Sequence, residues 1–180
     1  ERRAAREELG GIDDWLRKIG TRVTVRALGS DSLARATQLL NKTNQLNLST
    51  RRLSDAEFSK WAAAPNRAVM VLSAADSFGD MGIVGLVSIE AEDGQGRLVD
   101  FILSCRAMGR RIEETMLYLA FEKLQQLGGE RLAVDLLPTA RNRPTLDVLV
   151  NSGIRRLGDS QFEIRVEDDY QAPETVEIVR

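Results

Sequence analysis

Between Ser104 and Arg111 the chain reads Ser-Cys-Arg-Ala-Met-Gly-Arg-Arg. A thiol, a glycine and three arginines in so short a run are a set with chemistry in it. If a strand ends before this turn and a helix opens after it, backbone N–H groups face outward at the positive end of a helix dipole. Phosphate binds well at such an end. Arg106, Arg110 and Arg111 add charges able to grip phosphate through paired hydrogen bonds. Gly109 admits a ligand close to the backbone. The competing reading is a surface turn with solvated arginines. Cys105, beside Arg106 at the strand end, suits a nucleophile that accepts an acyl group and passes it on without a histidine. Its alternative is a small buried side chain packed at the strand end.

Two further places carry polar chemistry. Asp100 interrupts the apolar run Leu98–Leu103 and is either a base or a cap on a backbone group. The stretch Asn41-Lys42-Thr43-Asn44-Gln45-Leu46-Asn47-Leu48-Ser49-Thr50-Arg51-Arg52 is rich in side-chain amides and hydroxyls. Such amides read polar ligands, and they also favour turns. Asp80, inside a hairpin, is expected to be structural.

Composition narrows the chemistry. The chain has one cysteine and no histidine. That rules out an internal disulfide, removes Ser-His-Asp and Cys-His systems, and removes the common zinc sites. No carboxylate cluster has ligand spacing, so no metal is expected, and no GxxxxGK[ST] loop is present. The net charge of −2, without a basic stripe, argues against nucleic acid as a partner. No apolar run is long enough for a membrane span, and no secretory signal is visible. A lone cysteine fits a reducing, cytoplasmic setting. At 180 residues, 43% hydrophobic and 29% charged, the chain suits one globular domain with a proper core. It begins at Glu1 rather than Met, which leaves open whether it is a piece of a longer protein.

These residues need elements to hold them. Glu1–Leu9 reads as a polar helix broken by Gly10–Gly11, and Ile12–Ile19 as a second short helix. Residues 1–20 are therefore expected to be a helical linker, with the domain at 21–180. Alternation over Arg22–Leu28 predicts a first strand. Asp31–Leu40 predicts a helix, with Ser30 or Asp31 as its N-cap. Ser54-Asp55-Ala56-Glu57 is a capping box that opens a helix running to about Ala64. Arg67–Ala74, Met81–Ala91 and the run from Leu98 form three strands joined by turns at Asp76–Gly82 and Glu92–Gly96, an antiparallel meander. Ile112, Met116, Leu119, Ala120 and Leu124 recur at helical spacing, and Gly128–Gly129 ends that helix. Arg131–Leu136 is a strand. Asn142 caps a helix with Pro144 in its first turn and its end at Gly153. Gln161–Val166 is a strand, and Val176–Val179 either pairs at an edge or stays loose.

This order is also that of the GNAT (N-acetyltransferase) superfamily. Arg106-x-x-Gly109-x-Arg111 resembles that superfamily's Gln/Arg-x-x-Gly-x-Gly/Ala signature, with Arg111 in place of a small residue. Asn142-x-Pro144-Thr145-Leu146-x-x-Leu149-x-x-x-Gly153-Ile154 resembles its Asn-x-x-Ala-x-x-x-Tyr-x-x-x-Gly-Phe ending, with Leu149 where a tyrosine often serves as general acid. The resemblance implies an α/β (α+β) GNAT-like fold, a mixed central sheet of about six to seven strands flanked by helices. It implies that coenzyme A, or a phosphopantetheine arm bearing an acyl thioester, contacts Leu103, Cys105, Arg106, Met108, Gly109, Arg110, Arg111 and Asn142. The strand edge after Leu103 would then pair with the pantetheine amides.

A closer likeness runs from about Arg22 to about Ile154. The segments Gln38–Arg52, Phe78–Gly85 and Leu103–Arg110 look like the C-terminal region of FkbH-like proteins of polyketide and natural-product biosynthesis. Full-length members carry an upstream HAD-type domain and form glyceryl thioesters on acyl carrier proteins. This chain lacks the HAD acidic motif, so only the GNAT-like domain and its setting among carrier proteins carry over. On that resemblance Asn41, Thr43, Asn44, Gln45 and Asn47 are expected to border the substrate, with Cys105, Asp100 and Asn44 as candidate catalytic groups. Arg51 and Arg52 are alternatively a contact for an acidic carrier-protein helix. The function this implies is acyl transfer, of a glyceryl-type group among others. The alternatives are a non-catalytic carrier-protein docking domain and a stand-alone acetyl-CoA-dependent N-acetyltransferase.

Overall fold

The computed structural model describes residues 11–180. The expected helix over Glu1–Leu9 lies outside the described residues. Five α-helices and eight strands follow in the order α1 (Ile12–Ile19), β1 (Thr21–Ala27), α2 (Ser30–Lys42), α3 (Asp55–Ala62), β2 (Arg67–Asp76), β3 (Gly79–Glu92), β4 (Gln95–Leu103), α4 (Ile112–Gln126), β5 (Arg131–Asp135), α5 (Arg143–Asn151), β6 (Arg155–Arg156), β7 (Gln161–Arg165) and β8 (Val176–Val179). A single-turn 3-10 helix at Cys105–Ala107 sits between β4 and α4.

One sheet runs β6-β7-β5-β4-β3-β2-β1-β8. Its β4–β5 and β1–β8 pairs are parallel, and the rest are antiparallel. The sheet has eight strands rather than six or seven. The two-residue β6 is too short to leave a periodic signal, and the tail strand β8 does pair, lying beside β1 from Thr21–Val176 to Thr24–Val179.

The strand period of two sorts side chains onto two faces. On β2, Met70, Leu72 and Ala74 join the larger core with Phe101, Leu103, Met116, Ala120 and Leu124 beneath α4. Val69 and Val71 face the other way and join Ala36, Leu40, Phe58, Leu86 and Ile102 beneath α2 and α3. Both faces are covered, so β2 to β4 read as nearly continuous apolar runs. Phe58 is the anchor of α3 in the second core and is fully buried. Removing such a side chain from water contributes roughly 1.5–3 kcal/mol.

Local signals fixed most helix ends. Ser54 caps α3 through the expected box: its hydroxyl accepts the Glu57 N–H at 3.3 Å, and Glu57 accepts the Ser54 N–H at 2.8 Å. The N-cap of α2 corrects the expectation of Ser30 or Asp31. It is Gly29, and the Ser32 hydroxyl turns back to accept the Gly29 N–H at 3.0 Å. Asn142 holds the N-cap position of α5, with proline in the first turn.

Candidate functional site

Strands β4 and β5 pair only from Gln95–Arg131 to Arg97–Ala133, then diverge. Beyond that point the opening between them is filled by the chain itself. Leu46, Asn47 and Leu48 run through it and are completely buried or nearly so. The Leu103 N–H of β4 donates to Leu46 O at 3.2 Å, Asn47 bridges Ile102, and the Leu137 N–H beyond β5 donates to Leu48 O at 3.1 Å. Both leucines pack into the larger core.

Side chains on α5 clamp this segment. Asn142 Nδ2 donates to Asn47 O at 3.1 Å and to Leu137 O at 2.9 Å. The Thr145 hydroxyl accepts the Asn47 N–H at 3.0 Å and donates to Gln45 O at 2.9 Å. Asn47 completes its own set by donating to Thr43 O and accepting the Thr50 N–H. Past the segment, Thr50 adopts a left-handed backbone (φ 53). Arg51 then reaches Asp100 on β4, with Nε–Oδ1 at 2.8 Å and Nη2–Oδ2 at 2.5 Å. The Arg51 guanidinium lies 4.1 Å from the Trp61 ring centroid, a cation–π contact. Ser88 and Ser49 also donate to Asp100.

Several expected roles change on this geometry. Asp100 is fully buried and both its oxygens are taken by Arg51, Ser88 and Ser49, so it is an anchor rather than an available base. Asn41 bonds both the N–H and the carbonyl of Leu53, which commits its amide to the loop. Asn47 and Asn142 are buried and serve the segment in the opening, not a ligand-facing surface.

The arginine turn also differs from the expectation. Arg110 is turned inward, with Nε 2.7 Å from Asp76 Oδ2 and Nη1 3.0 Å from Arg106 O. Arg111 pairs with Asp13 at 2.9 Å and Glu114 at 3.7 Å. It precedes α4 in a left-handed conformation (φ 60), the backbone region that suits the small residue of the signature. The Gly109 N–H already has a partner: the Glu113 carboxyl group accepts it at 2.9 Å. Burial pushes the Glu113 carboxyl above its ordinary value, and the Gly109 N–H opposes that. An apolar groove of about 470 Å³ lies beside this turn, floored by Ile12, Leu16, Met108 and Val148, and Glu113, Glu114 and Asp147 border it.

The expected residues that do converge meet elsewhere. A cleft of about 400 Å³ lies between the end of α2 and the end of β4. Thr43, Asn44 and Gln45 line one side, and Leu103, Ser104 and Cys105 line the other. Cys105 is exposed, which corrects the alternative of a buried packing residue. Arg35, Gln38 and Lys42 of α2 complete the wall, and no acidic residue lines it. Arg35 of the cleft wall and Arg106 both reach toward Ile83 O, at 3.4 Å each. Asn44 Oδ1 accepts from Arg52 at 2.6 Å, holding the loop in place. Arg35, Gln38, Thr145 and Glu113 were not singled out from the sequence. Only Thr145 left a signal there, as a hydroxyl where the resembling pattern has alanine.

The fold is that of the GNAT N-acetyltransferases. A domain from Methanocaldococcus jannaschii superposes with a TM-score of 0.60 at 13% identity, covering 81% of this chain and 99% of its own. The GNAT domain of an S. lividans protein, PAT, gives 0.58 at 16%, covering 79% and 89%. A putative acetyltransferase from Salmonella typhimurium, solved with acetyl-CoA, gives 0.57 at 13%, covering 84% and 98%. No protein-family model and no curated protein matches the chain. Among the described residues no helix is long and apolar enough to cross a membrane.

In the arrangement expected for coenzyme A, two backbone amides already have internal partners. The edge that would pair with its amide arm is taken at Leu103 by Leu46 O, and the turn that would take its pyrophosphate holds Glu113 at Gly109.

Proposed function

We propose that this chain is a GNAT-fold acyl-transfer domain of the FkbH-like type, which receives an acyl group at Cys105 from the phosphopantetheine arm of an acyl carrier protein. The observation that supports this reading is the cleft in which Cys105 faces the Lys42–Gln45 segment. Two stretches far apart in sequence, each chosen for its chemistry, line one opening. The thiol attacks the thioester carbonyl, a new acyl–sulfur bond forms at Cys105, and the carrier's thiol leaves with the proton. Asn44 and Thr43 supply polar contacts for the acyl group. Arg35, Lys42 and Arg106 give the rim a positive character that suits the arm's phosphate and an acidic carrier surface. In a parent protein with an upstream HAD-type domain, the incoming group would be of the glyceryl type.

Incubation with an acyl-loaded carrier protein, followed by intact masses of both proteins, tests this. The expected result is an acyl adduct on the domain that Cys105→Ala abolishes. Acyl movement that survives Cys105→Ala contradicts it.

A second reading has its own support. Leu149, at the tyrosine position of the resembling motif, is fully buried, so no general acid stands there. A carrier-protein docking domain without turnover needs none. It predicts tight carrier binding, weakened by loss of Arg106 or Lys42, with no adduct on any residue.

A further inference from the structure

We propose that Leu46–Leu48 is a resident segment that closes the β4–β5 opening, standing where an extended amide ligand would pair, so that a thioester arm, on coenzyme A or on a carrier protein, reaches Cys105 only from the α2 side. This rests on the acyl-transfer reading of the Cys105 cleft. A ligand arm in the opening needs the Leu103 N–H, and Leu46 O accepts it. It also needs the volume held by Leu46 and Leu48, which are buried in the main core.

The resident segment is bolted at each end. Thr145 and Asn142 hold its backbone from α5. Arg51 ties the outgoing chain to Asp100 on β4. Glu113 at Gly109 is the same arrangement on a smaller scale, an internal acceptor on the amide that a phosphate would use. The chain thus supplies its own substitute for both the amide arm and the phosphate. A cofactor that binds only an opened form has its apparent affinity reduced by the fraction of chains that are open.

Two variants loosen the bolts at different points. Thr145→Val removes the hydroxyl that serves Asn47 N–H and Gln45 O while keeping side-chain shape. Asp100→Asn weakens the hold on Arg51 and keeps a hydrogen-bonding side chain at that position. Free coenzyme A, without an acyl group, is titrated into the isotope-labelled chain while the Leu137 amide is observed, since Leu103 also lines the Cys105 cleft. Amide hydrogen exchange of Leu46–Leu48 is measured in parallel. In the wild-type chain the Leu137 resonance stays in place with ligand at about 1 mM. In each variant the exchange of Leu46–Leu48 quickens, and the affinity for coenzyme A rises about tenfold for a tenfold gain in the open fraction.

Coenzyme A shifting Leu137 in the wild type with no change in segment exchange overturns the proposal. Faster exchange without any gain in affinity overturns it too, and so does unchanged exchange in both variants, since the bolts then hold nothing. Because the probe carries no acyl group, the result is independent of whether Cys105 is acylated.

Discussion

At Gly109 the backbone N–H donates to Glu113, and the carboxyl is buried at 5% exposure. Burial raises its folded-state pKa above the ordinary 4.5, so the folded chain holds the proton more tightly than the unfolded chain. The stability this gives is complete below the ordinary value and is lost as pH rises through the raised one. Glu113→Gln keeps an acceptor for Gly109 and removes the charge. Its melting temperature relative to wild type should therefore climb as pH rises above that ordinary value. A difference that stays constant with pH contradicts this account. The Arg51–Asp100 pair makes a second prediction. Arg51→Ala leaves Asp100 as a buried charge without its cation and should cost about 3–5 kcal/mol. Asp100→Asn, which removes the charge itself, should cost less, and urea unfolding of the two variants decides the order. Neither environment was legible beforehand. Helical spacing places Glu113 on α4 but cannot show that its carboxylate turns back onto Gly109. The partner of Arg110 lies 34 residues away. Cys105 and Asn44 were legible as polar chemistry, because residue type alone carries that signal.

Among the elements, the three-residue contact of β4 with β5 matters most, because it leaves the opening that Leu46–Leu48 fills. Close packing at that contact depends on two glycines. A Cβ at Gly96 would lie 2.5 Å from Leu124 Cδ1, and one at Gly129 would lie 2.4 Å from the same atom. Leu124 is fully buried, so its displacement disturbs the larger core. Gly96→Ala should therefore destabilise the chain by about 1–3 kcal/mol, the usual range for overpacking, with a lower melting temperature and no new activity. Elements were the most legible scale. The Ile112–Leu124 spacing, the Ser54 box and the β2 to β4 meander each carry a local pattern that tertiary contacts reinforce. The Asn41–Arg52 stretch shows the limit of such patterns. Its composition is that of a turn-rich loop or a ligand contact, yet its middle is a buried strand-like bridge. The compensating groups, Asn142 and Thr145, come from α5, far along the chain. The bulge at Val99 was equally silent, although it sets Asp100 opposite Ser88.

For the molecule as a whole, the two covered faces of the sheet divide the work. The α4–α5 face carries the larger core, in which Leu46 and Leu48 fill the β4–β5 opening, and the α2 face carries the cleft with Cys105. The net charge of −2 hides a local excess of cations at the cleft, which is why composition alone could not place a partner surface. If an acidic carrier protein docks there, acylation by it should slow several-fold as ionic strength rises from about 0.1 M to about 1 M, since the screening length falls from ~10 Å to ~3 Å. Acylation by a small uncharged thioester should hardly change under the same conditions. Equal salt dependence for both donors would place the carrier elsewhere.

The most direct test of the central claim follows the rate of Cys105 acylation by intact mass, using one acyl carrier protein as donor. The claim is that Lys42–Gln45 and Cys105 form the reacting cleft. Lys42→Ala with Asn44→Ala should then slow acylation by about tenfold or more, the worth of one charge-assisted hydrogen bond. Arg111→Ala, in the turn already neutralised by Asp13 and Glu114, should leave the rate within about twofold of wild type on the same scale. The reverse pattern, with Arg111 decisive and the cleft pair silent, would put the reaction back at the arginine turn and contradict the account.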